Sequence, residues 1–136
     1  RVYRSMPALA AQYTACEAMG IQITEVGHDF IRGTMPADQR TFQPFGLVHG
    51  GANVVLAETL GSVAANLLVD NSKFYCVGQE VNANHVRGVR SGKVTGTATL
   101  WHAGKSSQVW NIELHDDQGK LTCISRLTMA VVTIPW

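Results

Sequence analysis

Two features of one segment of this chain could act together on a carbonyl group. The pair Gly50-Gly51 follows His49 at the predicted start of a long helix. The first N–H groups of a helix have no partner within it and lie at the positive end of its dipole, so they favour negative charge. A glycine pair lets a ligand approach that backbone closely. Further along, Glu58 is the only ionisable side chain between His49 and Asp70, and a carboxylate in an apolar stretch is costly unless it is paired or useful. An oxyanion-binding turn together with a lone carboxylate indicates acyl chemistry.

The spacing of these two groups predicts that a complete site needs two copies of the chain. Along one helix, positions 50 and 58 are roughly 12 Å apart. Both groups would have to come within about 3 Å of the reacting atoms. Glu58 would therefore meet the Gly50 of a second subunit. Two such helices side by side about a two-fold axis would create two shared sites, so we expect a homodimer at least.

The surrounding pattern predicts the elements that position this helix. A first helix is expected over residues 7–19, with Pro7 near its start and Gly20 as its stop. The central helix follows at about 49–69. Alternating or apolar runs bounded by turn residues predict strands. The predicted strands are 21–26, 30–35, 75–87, 92–102, 107–115 and 120–133.

The character of the central helix predicts the fold class. It is apolar nearly all round, so other elements must enclose it. A curved antiparallel β-sheet wrapped around one long helix is the economical solution and gives an α+β fold. At 136 residues, we expect one domain, 1–136.

Composition argues against several classes of function. The net charge of +1 gives no reason to expect nucleic acid as a partner. The three cysteines, Cys16, Cys76 and Cys123, show no CxxC or Cys/His ligand spacing. We therefore expect neither a metal site nor a disulfide framework, and reduced thiols favour a cytoplasmic protein. No charged start followed by an apolar signal core is visible. Polar residues interrupt the apolar run 47–69, which argues against a membrane-spanning helix.

Four motifs resemble those of the hotdog-fold acyl-CoA thioesterases, and most closely the bacterial branch that acts on aromatic acyl-CoAs, such as hydroxybenzoyl-CoA and dihydroxynaphthoyl-CoA. They read QPFGLVHGG over 43–51, AETLGS over 57–62, VNANHVR over 81–87 and QVW over 108–110. The likeness extends over almost the whole chain, and the spacing of the first two motifs is specific. The resemblance implies a hotdog fold and hydrolysis of an acyl-CoA or acyl-carrier-protein thioester to free acid and thiol. It implies no metal or redox cofactor, since CoA is part of the substrate, and dimers that pair into a homotetramer.

The resemblance also implies a role for each residue of the first two motifs. Glu58 would be the catalytic carboxylate, either attacking the thioester carbonyl or activating water, and both mechanisms stay open. The Gly50 N–H would bind the carbonyl oxygen, assisted by the Gln43 side chain. His49 would position the thioester. Ser62, one turn after Glu58 on the same face, would hold the carboxylate or the hydrolytic water.

The candidate CoA-binding residues lie in two connections between strands. Basic residues cluster around the turn after the 75–87 strand, a place suited to phosphates. The next connection also contacts the nucleotide in relatives, although here Gly-Lys-Ser-Ser stands where an arginine is often found. The predicted CoA contacts are Asn84, His85, Arg87, Arg90, Lys105 and Ser106, with Lys93 beside the first group.

Two other functions remain as alternatives. A hotdog dehydratase acting on 3-hydroxyacyl thioesters also uses an acidic residue near a histidine, but its His-Phe-Pro or Asp-to-His motifs are missing here. A non-catalytic acyl-CoA-binding module would keep the fold and the pocket but would not need Glu58. Aromatic acyl groups are favoured by the resemblance alone.

Overall fold

A computed structural model describes residues 14–136 of the chain. The first helix among these residues, α1, spans Ala15–Ala18, and its N-cap Thr14 accepts a hydrogen bond from the Glu17 N–H. Positions 7–13 of the predicted helix lie outside the described residues. Gly20 has φ +71°, a left-handed conformation that glycine adopts without strain, so its predicted role as a helix stop is confirmed.

Six strands and one long helix follow α1. The strands form one sheet in the order β1-β2-β4-β5-β6-β3, and all neighbouring pairs are antiparallel. All of these elements begin and end within two residues of their predicted bounds, and the predicted α+β class is confirmed. The elements are β1 (Gln22–Val26), β2 (Phe30–Pro36), α2 (Gly50–Leu68), β3 (Phe74–His85), β4 (Lys93–Ala103), β5 (Ser107–His115) and β6 (Leu121–Thr133).

Helix α2 is enclosed by the sheet, as its apolar character predicts. It packs against β2, β3, β4, β5 and β6, and Leu56 and Leu60 are fully buried. A Cβ atom on Gly33 or Gly96 would stand less than 3 Å from a Leu60 methyl group, so these two glycines let the helix approach the sheet closely. By length and composition alone α2 could cross a membrane, but 56% of it is buried inside this fold. It has the environment of the core helix of a globular protein.

Polar contacts fix the second half of α2 to the edge strand β3. The Asn66 side chain accepts from the Cys76 N–H at 2.8 Å and donates to the Cys76 carbonyl at 3.1 Å. Beside this contact, Gln108 Nε2 donates to the Ala65 carbonyl, and Gln108 Oε1 accepts from the Trp110 indole N–H at 2.9 Å. The QVW motif is therefore part of the support of α2. Because these groups are buried and hydrogen-bonded to each other, they fix the position of α2 relative to β3.

Candidate active site

The start of α2 leaves one backbone donor free. The Gly51 N–H donates to His49 Nδ1 at 2.8 Å, and the N–H groups of Ala52 and Asn53 donate to the His49 carbonyl at 2.9 and 3.2 Å. The Gly50 N–H has no acceptor among residues 14–136. A single unpaired N–H at the positive end of a long helix is a donor ready for a negatively charged oxygen.

A cavity of about 380 Å³ opens beside this donor. Its walls include Gln43, Gly50, His85 and Arg87, four residues predicted from two distant motifs. The Gln43 side chain is held by its own loop, since its Oε1 accepts a hydrogen bond from the Phe45 N–H. The fold thus brings the predicted oxyanion donor, its predicted helper and two predicted CoA contacts to one cavity.

His85 lies directly against the start of α2. A Cβ atom on Gly50 would stand 2.9 Å from His85 Nε2, and His85 Nδ1 lies 3.4 Å from Asn53 Nδ2. Asn53 also lines the cavity and is only 5% exposed. The sequence prediction did not include Asn53 in the site. The signal that could have found it was an amide one turn after Gly50, between the apolar residues Ala52 and Val54.

The His49 side chain points away from this cavity. It caps the Gly51 N–H and lines a different hollow, together with Arg40 and Phe42. Within one chain the structure therefore does not bring the His49 ring to the Gly50 donor. The predicted role of His49 in positioning a thioester stays a prediction.

The Glu58 carboxylate lies over β3, away from the Gly50 cavity. It is half-buried, and a Cβ atom on Gly78 would overlap its Oε2 atom. Among the described residues no side chain or N–H group is hydrogen-bonded to it. Glu58 and Gly50 do not share a cavity within one chain, which agrees with the separation expected from their spacing along α2.

Ser62 is also apart from the groups it was predicted to hold. Its hydroxyl donates a weak hydrogen bond to Met129 Sδ at 3.8 Å, and no hydrogen bond joins it to Glu58 in the part of the chain that the structure describes. Its carbonyl accepts from Asn66 Nδ2 at 2.9 Å. The predicted role of Ser62 toward the carboxylate or a water molecule stays a prediction.

The predicted CoA contacts fall into two groups at opposite ends of the sheet. His85 at the end of β3 is paired with Cys123 at the start of β6. Ser106 lies in the β4–β5 turn, where its carbonyl accepts from the Val131 N–H. Positions 123 and 131 of β6 are about 26 Å apart at the usual rise of a strand. One chain therefore does not bring Lys105 and Ser106 to the cavity that holds His85.

The remaining predicted CoA contacts surround the His85 end. Asn84 and Arg87 flank His85 and are exposed, and Arg87 lines the cavity. Arg90 is exposed in the loop before β4, next to the buried Val89. The guanidinium groups of Arg87 and Arg90 are available to an anionic ligand that approaches the cavity from solvent.

Two cysteine thiols are poorly suited to nucleophilic chemistry. Burial raises the pKa of the Cys123 thiol to about 11 and also raises the pKa of Cys76. Both therefore stay protonated at neutral pH, whereas the thiolate is the reactive form. Among residues 14–136, no three His, Cys, Asp or Glu side chains are grouped so that they could hold a metal ion.

We expect Gly78→Ala to lower kcat about 100-fold with little change in KM, because a displacement of about 1 Å at a reacting group can cost this much. The added methyl group would occupy the position of Glu58 Oε2 and push the carboxylate away. The fold should survive, since the displaced atom is the end of a flexible side chain. Steady-state kinetics and thermal unfolding check the prediction.

Val77→Ala is the matched control for Gly78→Ala. It changes the neighbouring residue of β3, which is exposed and points to the opposite face of the sheet. Its activity should stay within about two-fold of the wild type, as is usual for exposed substitutions that leave reacting groups in place. Equal activity of both variants would contradict the catalytic role predicted for Glu58.

Comparisons with known proteins give consistent findings. Residues 45–123 match the family model described as the thioesterase superfamily. A 1,4-dihydroxy-2-naphthoyl-CoA hydrolase from Escherichia coli K12 is 50% identical over 114 residues, which cover 84% of this chain and 83% of that protein. A proofreading thioesterase from Cronobacter turicensis is 47% identical over 119 residues, covering 88% of this chain and 86% of that protein. The crystal structure of a mutant thioesterase from Pseudomonas aeruginosa superposes with a TM-score of 0.92 at 48% identity, covering 97% of this chain and 94% of that one.

Proposed function

The chain belongs to the thioesterase superfamily and is a thioester hydrolase with the hotdog fold, and we propose that it converts aromatic acyl-CoA thioesters to free acids and CoA. The observation that carries the proposal is the single unpaired Gly50 N–H at the start of α2, open to a cavity with Gln43 and His85 on its walls. Acyl transfer needs such a fixed donor where the oxyanion develops. A naphthoyl-CoA is the substrate in the name of the Escherichia coli relative, and this supports an aromatic acyl group here.

The separation of Glu58 from Gly50 supports a site built from two chains. Strand β3 pairs with β6 on one side and lies at the edge of the sheet. The other edge of this 12-residue strand has no partner strand among residues 14–136. An exposed edge of this length is a template for a further strand. A second copy of β3, antiparallel about a two-fold axis, would cover both edges at once.

The positions of the two groups along β3 indicate where that axis would pass. Glu58 lies over Gly78, and Gly50 lies against His85. Glu58 of one chain would meet Gly50 of the other if Gly78 stood opposite the second chain's His85. The two-fold axis would then pass near positions 81–82, at the middle of β3. Such a dimer would have two identical sites, each with its carboxylate from one subunit and its oxyanion donor from the other.

The reaction at this shared site would begin with the thioester oxygen on the Gly50 N–H. Glu58 would then act in one of two ways. As a nucleophile, its carboxylate adds to the carbonyl carbon, the CoA thiolate leaves, and water hydrolyses the resulting mixed anhydride. As a general base, it takes a proton from water while the water oxygen adds to the carbonyl. Solvent oxygen-18 found in Glu58 after a single turnover would identify the first route, with water attacking the Glu58 carbonyl of the anhydride. Water that attacks the acyl carbonyl instead would place the label in the released acid, as the general-base route does.

The proposal also covers the cofactor requirement, the cellular compartment and the oligomeric state. Hydrolysis changes no oxidation state, so redox chemistry is not required, and CoA leaves as a product. The three free cysteines, Cys16, Cys76 and Cys123, suit the reducing cytoplasm. The dimers are proposed to pair into homotetramers. In a tetramer, the Lys105–Ser106 turn of one subunit could contact CoA that is bound at a neighbouring subunit.

The proposal is tested by thiol release from a panel of thioesters. Benzoyl-CoA, hydroxynaphthoyl-CoA, phenylacetyl-CoA and straight-chain acyl-CoAs are offered to the purified oligomer, with Glu58→Ala measured alongside. We expect fast release from at least one aromatic member and its loss in the variant. Preference for the straight-chain substrates would contradict the acyl class. Binding of acyl-CoA without release from any member would favour an acyl-thioester-binding module or a carrier-protein substrate.

A further inference from the structure

The His85 ring lies between the Asn53 side chain and the start of α2 at Gly50. Resting on the proposed function, we propose that His85 is a catalytic residue whose Nε2–H donates to the thioester oxygen together with the Gly50 N–H. Asn53 is then a positioning residue that keeps the proton of His85 on Nε2. This role differs from a contact to the CoA nucleotide, which the sequence motif implies for His85.

The distances allow one oxygen to accept from both donors. His85 Nε2 is 2.9 Å from the Cβ position of Gly50. A Cβ stands about 2.5 Å from its own backbone nitrogen, so His85 Nε2 lies within about 5.5 Å of the Gly50 nitrogen. Two donors that each stand about 2.9 Å from a shared oxygen can be up to about 5.8 Å apart. Both donors also line the same cavity.

The proposed role of Asn53 rests on the orientation of its side-chain amide toward His85. Asn53 Nδ2 faces His85 Nδ1 at 3.4 Å, and an amide NH₂ group can only donate. With the amide in this orientation Nδ1 accepts, and a neutral imidazole then carries its proton on Nε2, the nitrogen that faces Gly50. Asn53 is fixed because it is buried in the first turn of α2.

The side-chain oxygen of Asn53 indicates that this arrangement has a cost in free energy. Its Oδ1 atom is buried and has no hydrogen-bond partner among the described residues. A buried polar atom without a partner is unfavourable and calls for an explanation. Holding the His85 ring supplies a reason for an amide at this position.

Two substitutions of His85 separate the roles of its ring nitrogens. Glutamine can place an amide N–H near the position of Nε2, whereas asparagine reaches only the position of Nδ1. We expect His85→Asn to lower kcat about 100-fold, the effect typical of losing one oxyanion donor. His85→Gln should stay within about ten-fold of the wild type because it keeps that donor.

The choice of thioester distinguishes catalysis from CoA binding. Each variant is assayed with an aromatic acyl-CoA and with the N-acetylcysteamine thioester of the same acid, which lacks the nucleotide. The kcat loss in His85→Asn should appear with both substrates. A loss confined to KM for the CoA thioester would overturn the proposal and make His85 a CoA contact. If His85→Asn has the same kcat as the wild type, the proposal for His85 is also overturned, while the proposed thioesterase function stands.

Asn53→Leu tests the positioning role in two backgrounds. In the wild type we expect kcat to fall more than ten-fold. In His85→Gln the same change should have no further effect, because an amide has no tautomers to select. Equal losses in both backgrounds would indicate a merely structural role and overturn the assignment of Asn53.

Nitrogen-15 NMR of the histidine rings in the intact oligomer provides a readout that needs neither turnover nor a stable variant. For His85 we expect a protonated Nε2 and an unprotonated Nδ1. Protonation at Nδ1 would overturn the proposal whatever the activity. If the wild type hydrolyses no thioester while this tautomer is found, the proposed function fails and the Asn53–His85 geometry stands.

Discussion

Glu58→Gln should lower kcat by about 10³-fold or more, since a general base alone contributes up to about 10⁴-fold and a nucleophile at least as much. The amide has nearly the same shape as the carboxylate but can neither take a proton from water nor attack a thioester. Because the amide keeps the size and shape of the carboxylate, the substrate should still fit the site and KM should change little. Single-turnover and steady-state assays with the best substrate of the panel measure the effect.

Stability should be nearly unchanged in Glu58→Gln. No residue in the range 14–136 is hydrogen-bonded to the carboxylate, so the substitution breaks no pair inside the chain. Glu25→Gln is the matched control, since it removes an exposed carboxylate on β1, at the opposite edge of the sheet from β3. The control should keep wild-type activity. Retention of more than a tenth of the activity by Glu58→Gln, with the fold intact, would show that another group performs the chemistry.

The secondary structure could be predicted because its signals are local. The turns around Gly27 and Gly119 separate alternating strands, and the apolar run of α2 is too long for a strand. The order of strands could not be predicted in this way. Strand β3 crosses to the far edge of the sheet and pairs with β6 rather than with β4, the next strand in sequence. That choice depends on packing around α2, which the pattern of a single strand does not contain.

Some residues of the candidate site could be predicted from local signals in the sequence, and others could not. Gly50 and Glu58 could be predicted because a helix start and a lone carboxylate carry their chemistry in their residue types. The approach of His85 to Asn53 joins positions 32 residues apart and exists only because β3 returns over the start of α2. Gly78 likewise has no chemical group to predict, and its importance lies in the space that the Glu58 carboxylate occupies.

Gly50→Pro should delete the proposed oxyanion donor while leaving the backbone in place. Gly50 is the first residue of α2, a position that proline favours. The preceding His49 has φ −63° and ψ 135°, the extended conformation that proline requires of its neighbour. The lost N–H has no acceptor in the described chain. Gly50→Ala is the matched control, because it adds the same Cβ against His85 but keeps the N–H.

We expect kcat of Gly50→Pro to lie about 10² to 10³-fold below that of Gly50→Ala, as for loss of one oxyanion-hole donor. Dimers assembled from a mixture of Gly50→Pro subunits and Glu58→Gln subunits then test whether the site is shared between chains. In a mixed dimer, the Gly50 of one subunit and the Glu58 of the other are both intact, so one of the two sites is complete. Random assembly of equal amounts should restore about a quarter of the wild-type activity, because about half of the dimers are mixed. A site contained within one chain would leave every mixed dimer inactive, since each subunit would lack one of its own two groups.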